Sequence, residues 1–178
     1  MTKLAHSGMA SSPCRVVVVP ETSPSSTRCV AYLELDDEAE VDAEPVISRL
    51  RDSTDEKDKN ERQHVWARFD LWIRTVGHTK RDYFHGWDEE GFRECFVFKW
   101  NRNNERRRLY GFLSNPMLLN RRFQACVLVC YRTKNEHATD PRAKKLAARL
   151  RTDSRVVAAL KMRFPDKTAS SSGGPKHG

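Results

Sequence analysis

The segment 131–141, YRTKNEHATDP, places Arg132, Lys134, Glu136 and His137 directly behind an apolar run. Cations can hold a phosphate, and a carboxylate or an imidazole that titrates near neutrality can move a proton at it. A plainer reading stands beside this one, since connecting loops are polar in any case. Further cations lie upstream, with Lys99 near the end of one strand-like run and Arg107 and Arg108 in the next. Arg108 is the candidate phosphate clamp, because a guanidinium stays charged and can grip two phosphate oxygens at once; the alternative is an arginine on an exposed strand. Lys99, Arg132 and Lys134 join it in one cationic patch if the strand ends adjoin. His137 is the one histidine of the basic half ahead of the tail, and its ordinary pKa suits an acid or a base, although loop histidines are more often bystanders. Glu136 and Tyr131 are weaker candidates for proton transfer or base stacking, and Glu94 for orienting a cation.

The charge distribution decides which partners such groups would meet. The chain of 178 residues carries 32 Lys and Arg against 24 Asp and Glu, a net charge of +8, which favours a polyanionic partner. The excess sits in the second half: from Lys99 to Arg151 there are fourteen Lys or Arg against Glu105, Glu136 and Asp140, while Asp36–Glu44 holds six acids and no base. No stretch approaches a membrane span and the N-terminus lacks the apolar core of a signal peptide, so a cytoplasmic protein without a membrane partner is expected. Five cysteines without a paired CxxC spacing support neither a disulfide framework nor a zinc site. Cys126 and Cys130 are expected to pack on one face of a strand.

These side chains need elements to position them. Residues 1–13 and 163–178 read as tails around a single domain, 14–162. Strand-like runs at 14–19 and 28–35 precede a helix with Pro45 in its first turn, carrying Val46, Ile47 and Leu50. Val65, Phe69, Trp72, Ile73 and Val76 then form the apolar stripe of a second helix, ended by Gly77. A strand at 92–100 places Phe96, Phe98 and Trp100 on one face and Cys95, Val97 and Lys99 on the other. The loop 101–105 returns the chain as strand 106–113, with Arg108, Tyr110 and Phe112 on one face and Arg107 and Leu109 on the other. The run 123–131 is apolar on both faces, hence central. Asp140 caps a helix with Pro141 first, its apolar face Ala143, Leu146, Ala147 and Leu150 and the rest basic, including Lys144 and Lys145. The expected fold is therefore α+β: a small, mainly antiparallel sheet with two N-terminal helices and a C-terminal helix. The helices would pack on one sheet face and leave the other free to bind.

This order and three stretches resemble the RelE/HigB-type toxins of bacterial toxin-antitoxin pairs, particularly their phage-derived branch. GFRECFVF (91–98) is similar to the family's Gly-Leu-x-Glu-Leu-Arg strand and RRLYGF (107–112) to its next strand. ACVLVCY followed by RTKNEHATDPRAKKLAARL is similar to its last strand, basic loop and Ala-rich basic helix. The chain departs from the pattern in having Phe96 where the family often has Arg, and Arg132-Thr133-Lys134 in place of paired lysines. The resemblance covers about residues 28–162. It implies a RelE-like fold and cleavage of mRNA, typically on the ribosome, without a metal and with inhibition by a cognate antitoxin.

Metal-free RNA cleavage must help deprotonate a 2′-hydroxyl, stabilise charge on the phosphorane and protonate the leaving 5′-oxygen. The catalytic candidates are accordingly Arg108, Lys134, His137 and Lys99, and the RNA-binding candidates Arg107, Arg132, Lys144 and Lys145, with no metal or other cofactor. A metal nuclease fits less well, since Glu94 and Lys99 are five residues apart and fall on opposite strand faces. The stronger alternative is a non-catalytic basic module that binds RNA or DNA phosphates, with Trp87, Trp100 or Tyr110 stacking on bases, or that meets an acidic protein helix.

Overall fold

Strand alternation leaves two apolar sheet faces to cover, and in the computed structural model both are covered. It describes residues 13–22, 27–75, 81–118, 121–134 and 139–165, residue 134 by its backbone. Among the described residues the elements are β1 (Cys14–Val18), β2 (Arg28–Leu35), α1 (Ala43–Asp52), α2 (Glu56–Arg74), β3 (Phe84–Gly86), β4 (Cys95–Arg102), β5 (Glu105–Ser114), β6 (Met117–Leu118), β7 (Arg121–Arg122), β8 (Gln124–Lys134), α3 (Pro141–Arg151) and α4 (Ser154–Arg163). The sheet runs β1-β2-β8-β5-β4-β3, and β6 and β7 form a separate short ribbon. β2 and β8 are parallel and the other neighbouring pairs antiparallel, so the fold is α+β with a mainly antiparallel sheet.

One face packs on α1 and α2, where Ile47, Leu50, Val65, Phe69, Trp72 and Ile73 meet Phe96, Phe98, Leu109 and Leu128. Val76 and Gly77, expected to close the second helix, lie outside the described residues; α2 ends at Arg74. The other face, expected to be free, instead lies under α3 and α4. Ala31, Leu33, Val97, Phe112, Val127 and Val129 are too apolar to face water, and Ala143, Leu146, Leu150, Val156 and Ala159 cover them. The single expected C-terminal helix is two, because Asp153 caps a new helix through Arg155 N. The packed domain also runs past residue 162: Phe164 is buried, its ring 5.4 Å from that of Phe123. No helix among the described residues is long and apolar enough to cross a membrane.

Three local features differ from the sequence reading. β4 begins at Cys95 rather than 92, since Phe92 N bonds Glu89 O (3.0 Å) and Cys95 N bonds Phe92 O (2.9 Å) in a turn. The β4–β5 hairpin closes on Asn103-Asn104 alone, both with positive φ (49° and 63°), which asparagine tolerates. The third matters for function. Cys130 pairs with Tyr110 but Leu128 pairs with Gly111, so Val129 is an extra residue in β8. This bulge inverts the alternation beyond it, and Cys126 and Cys130, expected on one face, lie on opposite faces.

Gly111 permits the close approach of β5 and β8 at the bulge. A Cβ there would press on the Val127 carbonyl oxygen and stand 2.9 Å from its carbon, and neither is a flexible side-chain atom. Gly111→Ala is expected to lower the unfolding free energy in urea by at least ~2 kcal/mol through overpacking. Wild-type stability in that variant would mean that the two strands can separate at no cost.

Candidate functional site

Beyond the N-terminus of α3 the sheet carries a row of cations. Lys99 on β4 pairs with Arg108 on β5, and Arg108 pairs with Arg132 on β8, so the three positions are cross-strand neighbours. They share the face of Val97 and Tyr110, which lie one same-face step further in, where α3 begins: Asp140 N donates to the Tyr110 hydroxyl at 3.1 Å. Arg132 reaches this face because of the β8 bulge, without which alternation would turn it toward α1 and α2. Asp42 anchors that stretch. Its N–H donates to Val129 O (3.1 Å), and its carboxylate accepts from Tyr131 N (2.6 Å) and Arg132 Nη1 (3.0 Å).

The row is partly buried and poor in counter-charge. Among the described residues neither Lys99 nor Arg108 has a carboxylate within ion-pair distance, whereas Arg132 has Asp42 and, at 3.9 Å, Asp140. Burial lowers the pKa of Lys99, and the charge of Arg108 beside it lowers it further. Burial also lowers that of Arg108. Like charges held together away from solvent store repulsion that an arriving anion relieves.

His85 on β3 adjoins the row and was not among the sequence candidates. It pairs with Val97 and so lies diagonally from Lys99, on the same face. Its ring is 5.0 Å from that of Trp87, and Trp87 in turn stacks parallel to Tyr110 at 6.2 Å. Burial, with the charges of Lys99, Arg81 and Arg108, pushes its pKa down to about 4. Sequence reasoning searched the basic half for a histidine; only the pairing of a three-residue edge strand brings residue 85 to the site.

The other candidates are dispersed. Arg107 turns to the opposite face, where Nη1 meets Glu61 Oε1 at 2.8 Å, and its side chain is 14 % exposed. Lys144 is buried at the start of α3, its Nζ 2.5 Å from Glu89 Oε2 and over the rings of Phe92 and Trp87. Lys145 is exposed on α3. Lys134 stands opposite Arg106 in the register, two residues beyond Arg132; its side chain, Glu136 and His137 lie outside the described residues. Glu94 precedes β4 at the end opposite Lys99. It lines a cleft of about 360 Å³ against α4 that contains none of the row. Trp100 is buried and donates to Glu61, so it offers no face for a base. Tyr131 packs against Trp100 at 6.0 Å.

Comparison of the chain with protein-family models, with curated proteins and with solved structures finds no match in any of the three.

Proposed function

We propose that this protein is a metal-independent endoribonuclease of the RelE/HigB toxin type, with the scissile phosphate of mRNA held on the Lys99–Arg108–Arg132 row. The observation that carries this reading is the convergence of three cations on one sheet position, two of them without carboxylate partners among the described residues. Arg108 clamps two phosphate oxygens and Arg132, steadied by Asp42, adds the second contact. Lys99 accepts the 2′-hydroxyl proton, burial and the neighbouring charge of Arg108 lowering its pKa in the direction that role needs. Lys134, the last residue of β8, and His137, three positions on in the sequence, remain candidates, and exposed Lys145 one for following the RNA backbone. The helix pair between β2 and the meander, together with the basic end of the central strand, supports a RelE-like fold. β1 and α4 are additions to that plan. On this reading the protein works in the cytoplasm at the ribosome, and a cognate antitoxin restrains it by covering the row.

The test is incubation of purified protein with end-labelled RNA in excess EDTA, with and without ribosomes. The expected products end in a 2′,3′-cyclic phosphate and a 5′-hydroxyl, and Lys99→Met lowers the rate by about 10²-fold or more, the usual contribution of a positioned acid or base. RNA left intact in both conditions, or cut only when Mg²⁺ is present, would sink this reading. The non-catalytic alternative is favoured by one observation: Arg132, Arg107 and Lys144 already have carboxylate partners, as structural cations do. It requires salt-dependent RNA binding with no cleavage.

A further inference from the structure

We propose that His85 belongs to the anion site as the proton carrier of a phosphate held on the row, binding its proton more tightly when the row is occupied. This rests on the row being a phosphate site and adds to it the group that protonates the leaving oxygen.

The geometry is as follows. His85 is diagonal to Lys99, which directly opposes Arg108, and all three face the α3 side of the sheet. Its Nδ1 is buried with no hydrogen-bond partner. A ring that takes up and hands on a proton at one atom keeps its other proton on this buried Nδ1, so Nε2 is the nitrogen that cycles. Nε2 is then the nitrogen that meets substrate. The groups around the ring are Lys99 on β4, Arg108 and Tyr110 on β5, and Arg81 and Asp82 ahead of β3. Beyond Trp87 lies Lys144 of α3, paired with Glu89. The nearest of these are cationic, and together with burial they keep the ring neutral. An anion bound on Lys99 and Arg108 offsets that field, and the imidazole gains a proton more readily.

In the cleavage step the 2′-oxygen bonds to phosphorus as the bond from phosphorus to the 5′-oxygen breaks. The 2′ proton passes to Lys99, and the departing 5′-oxygen takes the proton of the His85 imidazolium. Lys99 then releases its proton to water and His85 takes one up from water at Nε2, returning each to its starting form.

Sulfate is a suitable probe, because it is a dianion that does not itself titrate in the range used. The ring resonances of His85 are followed by NMR against pH, with sulfate absent and then saturating, in wild type, His85→Gln and Arg108→Gln. Sulfate is expected to raise the His85 midpoint by about one unit, which makes sulfate affinity in wild type rise about tenfold more on acidification than in His85→Gln. Subtracting the His85→Gln curve removes the pH dependence that does not come from His85. Arg108→Gln is expected to abolish the midpoint shift. A His85 midpoint unmoved by saturating sulfate, identical pH dependence in His85→Gln, or no sulfate binding at any pH would overturn the proposal. RNA left intact by a protein whose His85 does respond to sulfate would overturn the ribonuclease reading and the cleavage step with it, while the coupling of His85 to the anion site stands.

Discussion

Arg108→Ala is expected to lower RNA cleavage by about 10²–10³-fold while leaving the protein folded, the loss seen when one donor to a developing oxyanion is removed. Among the described residues its side chain donates from Nη1 to the Arg107 carbonyl (2.8 Å) and has no carboxylate partner, while Lys99 and Arg106 beside it carry its own sign, so its loss relieves repulsion instead of exposing a buried acid. Stability should therefore hold or rise, which separates this effect from unfolding. Arg108→Lys keeps the charge but not the two-pronged grip, and should recover binding more than rate. The slope of log affinity against log salt should fall by about 0.7 in Arg108→Ala, one phosphate contact on a single strand. Cleavage that survives the substitution would place the chemistry elsewhere.

Glu61→Ala is expected to cost about 3–5 kcal/mol of stability, the range for removing one partner of a buried ion pair. The Glu61 side chain is 1 % exposed and gathers Trp100 Nε1 (2.7 Å), Arg107 Nη1 (2.8 Å), Arg102 and, at 3.6 Å, Arg49. Without it three guanidinium groups meet beside α2 and the β4–β5 hairpin, left among the described residues with Asp58, bonded to Arg49 and Arg102, and Glu105, bonded to Arg107. Burial pushes the Glu61 carboxyl up, but the Trp100 and Arg102 hydrogen bonds and the charge of Arg107 outweigh it, and its net pKa is lowered. That of Asp58 is brought to about 2, chiefly by its hydrogen bond with Arg102. Carboxyls lowered by folding contribute stability above their unfolded pKa, near 4, and lose it as pH falls through the folded value. Urea midpoints should therefore drop from about pH 4 toward pH 2 in wild type, and less steeply in Glu61→Ala. A flat acid limb in both proteins would show that the network adds nothing to stability.

Much of the frame could be read in the chain. Alternation assigned Phe96, Phe98 and Trp100 to one side of β4 and Lys99 to the other, and the spacing of Val65, Phe69, Trp72 and Ile73 marked the buried stripe of α2. Both patterns are local, set by the strand and helix periods, and so survive translation into structure. The second C-terminal helix is hard to read in the chain because its cap, Asp153, follows α3 by only two residues and its buried side is just Val156, Ala159 and Leu160. With it went the expectation of an open sheet face.

The residue types needed to hold a phosphate, and the side of each strand on which Lys99 and Arg108 lie, were determined by the sequence alone, because alternation is a property of one strand. Which cations stand together was decided by the tertiary structure, because that depends on register and on which strands adjoin. The extra residue in β8, tolerated because Gly111 has no Cβ and anchored by Asp42, turns Arg132 toward the row. Arg107, one residue from Arg108 in the chain, is drawn instead to a buried carboxylate 46 residues away on α2. His85, far from the basic half in sequence, comes beside Lys99 through the pairing of β3 with β4.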